Sequence, residues 1–211
     1  MPLVVDRYEL GPIGTNCYVV RAERGAQESV VIDPGADAAA LRLELGRMGT
    51  RCAGILVTHG HYDHVGGVAD LAEGTGVHVW MPEADSPLLE RYDEFAPPGS
   101  GRPYTPEHLL EGGETIELAG IAFETIPIPG HTTGHVAFHA DGRLFSGDLV
   151  FANSVGRVDL PGGDWNTLLA SVRNLADRFP PETVIYPGHG PETTLGAELA
   201  RNPFLAELRA S

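Results

Sequence analysis

The feature that most constrains this chain is a six-residue cluster, His59-Gly60-His61-Tyr62-Asp63-His64. Three imidazoles and a carboxylate in so short a span form a potential transition-metal site, because these groups are common ligands of such ions. His59 and His61 are two positions apart, so an extended backbone aims both to one side. Asp63 and His64 then fall at the turn into a following helix. Gly60 permits a close backbone approach, and Gly66-Gly67 lets that helix pack tightly. With 9 His and 12 Asp in 211 residues, a His-x-His-x-Asp-His string arises by chance at odds on the order of one in a thousand.

Three more candidate ligands share one sequence context. His131 lies in Pro129-Gly130-His131, Asp148 in Ser146-Gly147-Asp148 and His189 in Pro187-Gly188-His189. Each follows an apolar run and has a glycine immediately before it. Loops at strand ends are where distant parts of a sequence converge on a rigid sheet. His135 and His139 differ: they alternate with apolar residues inside a strand pattern and read as structural. His78 and His108 have no motif around them and read as surface or packed residues.

Composition narrows the class. Hydrophobic residues make up 42% and charged residues 20%, the balance of a globular protein rather than a disordered one. The net charge of −15 comes from 14 Lys+Arg against 29 Asp+Glu, and the basic residues are scattered singly. So acidic a surface repels phosphate backbones, and nucleic acid is not an expected partner. Cys17 and Cys52 are the two cysteines. A single bridge between them stays open, but buried thiols are the preferred reading, and there is no disulfide framework. The N-terminus lacks the basic and apolar regions of a signal peptide, and no apolar run approaches the roughly 20 residues of a membrane span. A cytoplasmic location, with no membrane partner, is the resulting expectation.

Gly and Pro, 27 and 17 in number, punctuate many short elements. Short apolar runs predict strands over 3–8, 17–21, 29–33, 53–58, 77–81, 116–118, 121–126, 135–139, 144–146 and 183–186. Helical spacing predicts helices over 38–48, 65–73 and 164–179. In the last, Asp164 is the expected N-cap and Pro180-Pro181 the stop. A short amphipathic helix is expected over 85–95. The Pro/Gly-rich stretch 96–106 reads as a linker or a surface loop; the loop is preferred, because candidate ligands lie on both sides of it. Together with the helix before it, this loop is a candidate roof over a substrate cleft. One domain over residues 1–211 is expected.

The combination His59-x-His61-x-Asp63-His64, His131, Asp148 and His189 closely resembles the metallo-β-lactamase superfamily. The resemblance implies a four-layer αββα sandwich with the site at one edge, between two sheets. It implies two divalent metal ions, with zinc the first expectation and iron or manganese tolerated by an all-His/Asp set. His59, His61 and His131 would hold one metal, Asp63, His64 and His189 the other, and Asp148 would bridge them. Asp33, in Ile32-Asp33-Pro34-Gly35, resembles the family's aspartate that orients a ligand histidine. Its other reading is a turn former after a strand.

Within the superfamily, aspartate at positions 63 and 148 points away from penicillin hydrolysis. It points toward the glyoxalase II branch, the hydroxyacylglutathione hydrolases. The runs 156–164 and 186–194 and the ending Asn202-Pro203-Phe204-Leu205 resemble short bacterial members of that branch. Two departures stand out. Only about 22 residues follow His189, too few for the helical C-terminal domain of classical glyoxalase II, and Pro191 stands where that enzyme has a glutathione-binding tyrosine. Arg157 approximately matches a basic residue that grips the thiol's carboxylate. The implied reaction is hydrolysis of a small-molecule 2-hydroxyacyl thioester, such as S-lactoylglutathione, by a hydroxide held between the metals. Asp63 would be a ligand and a proton acceptor. The alternatives are a persulfide dioxygenase with one iron, a lactonase or other small-ester hydrolase, and a non-catalytic binding module that keeps the fold.

Overall fold

The computed structural model describes residues 2–209. The short apolar runs become strands and collect into two six-stranded sheets. The first sheet holds, side by side, β1 (Val4–Leu10), β2 (Thr15–Arg21), β3 (Glu28–Ile32), β4 (Arg51–Leu56), β5 (Val79–Pro82) and β6 (His108–Leu110). The β1–β2 and β2–β3 pairs are antiparallel, joined by short turns. The pairs from β3 to β6 are parallel, because helical crossovers intervene. These are α1 (Ala38–Met48), then α2 (Tyr62–Val65) with α3 (Val68–Thr75), then α4 (Ser86–Glu90) with α5 (Tyr92–Phe95).

The second sheet begins with the antiparallel run β7 (Thr115–Leu118), β8 (Ile121–Pro127), β9 (Val136–Ala140) and β10 (Arg143–Gly147). A separate small hairpin follows, β11 (Val150–Phe151) with β12 (Ser154–Val155). Helix α6 (Trp165–Arg178) then crosses over to β13 (Val184–Pro187), which pairs parallel to β10, and β14 (Thr193–Thr194) closes the edge. Two short helices finish the chain, α7 (Leu195–Arg201) and α8 (Ala206–Arg209). No helix among the described residues is long and apolar enough to cross a membrane.

Side-chain alternation along the strands sorts the core into three layers. On β2, Cys17 and Val19 face α1 and α3, joining Leu41, Leu45, Val68 and Leu71. Their neighbours Tyr18 and Val20 face the other sheet and meet Phe123, Phe138 and Phe145. Beyond the second sheet, Ala137, Leu144 and Ile185 pack on Leu168, Val172 and Leu175 of α6. Helices therefore cover both outer faces, giving the αββα sandwich. The strands at its centre are buried on both faces, which is why they read as continuous apolar runs rather than alternating ones. Each such buried aliphatic side chain contributes roughly 1.5–3 kcal/mol. Both cysteines are free and buried.

The observed elements differ from the sequence expectation in a few places. The helix expected over 65–73 is two helices, broken at Gly66-Gly67. A Cβ on Gly66 would lie 2.5 Å from the Gly35 carbonyl oxygen, and the Gly67 amide donates to the Pro34 carbonyl at 2.8 Å. The break is thus set by a loop 31 to 33 residues away in sequence. The helix expected over 85–95 is interrupted at Arg91, whose ψ of 37° is not helical. Helix α6 keeps its expected cap: the Asp164 side chain accepts from the Thr167 amide at 2.8 Å.

Candidate metal centre

The candidate residues all leave the sheets at one edge. His59 follows β4 by three residues, His131 lies in the loop from β8 to β9, Asp148 follows β10 directly, and His189 lies two residues past β13. Asp63 and His64 sit in the single turn of α2. His59, His64, His131 and Asp148 are buried, and His61, Asp63 and His189 reach partly into solvent. Gly188 has to be glycine for this convergence. A Cβ there would lie 2.0 Å from Asp148 Oδ1 and 2.6 Å from His64 Cε1.

Hydrogen bonds behind the imidazoles fix which nitrogen faces inward. His64 Nδ1 donates to Asp33 Oδ2 at 2.9 Å, and His131 Nδ1 donates to the Arg157 carbonyl at 2.7 Å. Thr58 has one hydroxyl proton, and it goes to Asp33 Oδ2 at 2.7 Å. Its oxygen, 3.0 Å from His59 Nδ1, must therefore accept from that nitrogen. In all three rings Nε2 is the nitrogen left facing the cluster. Asp33 holds this arrangement from a left-handed backbone, φ 52°, while its Oδ1 accepts the Thr58 amide at 2.8 Å.

The inward atoms lie close together. Donor atoms of His59, His61 and His131 lie within 4.8 Å of one another, as do those of Asp63, His64 and His189. Asp148 stands between the two groups. Its Oδ1 is 3.2 Å from His64 Nε2, and its Oδ2 is 3.6 Å from His131 Nε2 and 3.5 Å from His189 Nε2. His59, His64 and Asp148 also form a compact set. Four of these buried atoms, the Nε2 of His59, His64 and His131 and Oδ1 of Asp148, have no hydrogen-bond partner, and the approach of His64 Nε2 to Asp148 Oδ1 is an ion pair only while His64 is protonated. Unpaired polar atoms this deep are costly, and a cation among them would satisfy all four. The donor set fits divalent metal ions.

Protonation points the same way. Burial, with His64, His131 and His135 nearby, holds His59 well below the ordinary imidazole range. Burial and His131 bring His61 down to about 4, and burial lowers His131 as well. These rings are neutral at neutral pH and able to coordinate. His64 and His189 behave oppositely. Burial pushes both down, but Asp148 and Asp63 outweigh it, so His64 lies well above its ordinary range and His189 rises to about 9. Burial favours the neutral forms of Asp63 and Asp148, yet His64 and His189 win there too: Asp63 falls to about 2 and Asp148 well below the usual carboxylate range. The two carboxylates thus attract positive charge, which two imidazolium protons supply until a cation displaces them.

One supporting residue has no signal in the sequence. Asp85, 2% exposed, accepts the Gly60 amide at 3.0 Å, the Thr132 hydroxyl at 2.6 Å and the Gly134 amide at 2.9 Å. It ties the loop of His59 and His61 to the loop of His131. Thr15, which donates to Asp63 Oδ2 at 2.8 Å, and the Arg157 carbonyl were equally unmarked. His135 is buried with its ring 4.8 Å from that of His59, outside the three donor sets. His139 faces Glu124 at 3.8 Å and packs on Phe179. His78 and His108 pair with each other at 3.0 Å, away from the site.

The cluster opens into a cleft of about 370 Å³, walled by Ile13, Tyr62, Leu88, Phe95, Arg157 and Leu160. The helix before the Pro/Gly stretch supplies Leu88 and Phe95. The stretch 96–106 is tied at two points, and its Pro97, Gly99 and Ser100 line a neighbouring hollow that shares Ile13, Tyr62 and Asp63 with the cleft. Arg102 donates to Asp70 and Glu73, and Ser100 Oγ lies 2.9 Å from the Tyr92 hydroxyl. Arg157 lies at the cleft, and its guanidinium makes a bidentate pair with Asp159, both contacts 2.7 Å.

The sequence pattern of the family described as Metallo-beta-lactamase superfamily matches residues 10–189. The hydroxyacylglutathione hydrolase GloC of Haemophilus influenzae is 34% identical, over 90% of this chain and 92% of its own. The crystal structure of TTHA1623 in a di-iron-bound form has a TM-score of 0.82 at 42% identity, covering 95% of this chain and all of that one. The BLEG-1 B3 metallo-β-lactamase has a TM-score of 0.89 at 35% identity, covering 96% of this chain.

Proposed function

The chain belongs to the metallo-beta-lactamase superfamily of metallo-hydrolases, and from that we propose that it hydrolyses acyl thioesters, with two divalent metal ions held by His59, His61, Asp63, His64, His131, Asp148 and His189. The observation that carries this reading is the convergence of those seven side chains at the floor of one cleft, with four of their buried donor atoms unpartnered. The similarity to a hydroxyacylglutathione hydrolase supports the thioester, and zinc is the first metal to test, with iron the second because TTHA1623 is di-iron-bound.

Divalent ions held by this set would supply an acidified water, with a pKa near ~7, and a means of polarising a carbonyl. The chain supplies the rest. His59, His61 and His131 present neutral nitrogens at working pH. Asp148 stands between the two triads and fixes their spacing. Asp63, with its carboxyl at about 2, is a weak base, so its larger contribution is negative charge; accepting a proton is secondary. Leu88, Phe95 and Leu160 give the cleft apolar walls, so a substrate bound against them would displace water and strengthen the electrostatics within it.

The test is thioester cleavage by purified, metal-replete protein, measured as free thiol released and set against a His59→Ala control. Cleavage well above the control is expected, and equality with the control overturns the reading. A second reading, β-lactam hydrolysis, is favoured by the likeness to BLEG-1. It needs the same attack on an amide carbonyl, so a chromogenic cephalosporin belongs in the same panel. Oxygen uptake with glutathione persulfide and Fe(II) tests the persulfide dioxygenase alternative.

A further inference from the structure

Resting on the thioester reading, we infer that the thiol half of the substrate is apolar and uncharged, so that neither glutathione nor a phosphate-bearing carrier is the preferred one. The argument starts from the cleft walls. Ile13 and Phe95 are large apolar side chains left 52% and 49% exposed, and both stand at this cleft. Leu88 and Leu160 continue the same surface. Apolar side chains gathered at one concave site mark a place where apolar ligand surface is buried.

Charge weighs against the alternative carriers. A glutathione thioester brings two carboxylates and one ammonium, and a nucleotide carrier brings several phosphate charges. Either needs cations with open donors. The chain has no lysine at all; its 14 basic residues are all arginine. Among the described residues that line the cleft, Arg157 carries the one permanent positive charge, and Asp159 already occupies its fork through two 2.7 Å contacts. Arginines on the adjoining segments are likewise matched. Arg91, over the Phe95 ring, lies 3.5 Å from Glu94, and Arg7, which donates to the Gly190 carbonyl, lies 3.2 Å from Glu9. Each of these contacts leaves further N–H donors of the guanidinium open, but every one of these arginines already stands beside a carboxylate, in a chain whose net charge is −15.

The experiment compares two thioesters of the same 2-hydroxyacyl group, one of glutathione and one of hexanethiol, each normalised to its uncatalysed hydrolysis. A kcat/KM for the hexyl thioester at least roughly tenfold higher is expected. Ile13→Ser and Phe95→Ser should lower that value mainly through KM, and more than they lower it for the glutathione thioester. Leu43→Ser, at an exposed site on α1, should change neither. Binding supplies the second readout: calorimetry on the metal-free protein with non-hydrolysable 2-oxopropyl thioethers of the two thiols should favour the hexyl compound. A preference for the glutathione compound in either measurement overturns the inference while leaving thioester hydrolysis intact. Binding of the hexyl thioether without cleavage of any thioester overturns the reaction while leaving the reading of the cleft intact.

Discussion

Asp33 accepts one hydrogen bond from His64 and two from Thr58, and through Thr58 it fixes His59 as well. One carboxylate therefore sets the tautomers of a histidine in each triad. Asp33→Ala should weaken metal binding by roughly 10–100-fold, measured by competition with a chromophoric chelator; unchanged affinity would show that the rings are held by packing alone. Asp85 acts on the loops instead. Asp85→Ala leaves the Gly60 and Gly134 amides unpaired in the interior and should cost roughly 3 kcal/mol in denaturant unfolding, with Asp85→Asn recovering part of it. Protonation gives a third test. With His189 held near 9, above its ordinary imidazole value of about 6.5, its contribution to stability is complete below about pH 6.5. It is lost as pH rises through about 9. His64 is shifted in the same direction. Melting of the metal-free protein should therefore show stability declining over that window, and metal-loaded protein should not show this decline, because metal replaces those protons. An identical profile for the two forms would contradict the assignment of His64 and His189 as ligands.

Among the elements, legibility followed how local the cause was. The strand runs, helix α1 and the Asp164 cap of α6 could be read directly, because periodicity and capping are written within a few residues. The strand-end positions of His131, Asp148 and His189 were legible from the apolar run and glycine before each. Strands β6 and β14 are too short, three and two residues, to display any period. Helix α7 spans seven residues, with Gly196 near its start, too short a run to display a helical period. The split between α2 and α3 depends on contact with Pro34 and Gly35, and the partners of Asp85 are 25, 47 and 49 residues away, so neither leaves a local trace. Helix α6 covers one whole face of the second sheet through a few side chains. Leu168→Ala should destabilise the fold by about 2–5 kcal/mol in chemical unfolding, without changing the metal-to-protein ratio of the protein that remains folded. A loss below about 1 kcal/mol would mean that α6 is not part of the cooperative core.

At the scale of the molecule, the sandwich brings the ends of β4, β8, β10 and β13 to one edge, so that residues spread from 59 to 189 meet. Neither sheet could build this site alone. The first supplies His59, His61, Asp63 and His64; the second supplies His131, Asp148 and His189. Metal should accordingly link the two sheets and raise the melting temperature of the metal-free protein, an effect read directly by calorimetry. The most direct test of the whole account is a titration of metal-free protein with zinc, following thioester cleavage against equivalents added. The account predicts activity that rises to a plateau at two equivalents per chain, with His59→Ala at background throughout. A plateau at one equivalent, or no cleavage above the His59→Ala protein at any loading with zinc or iron, would contradict it.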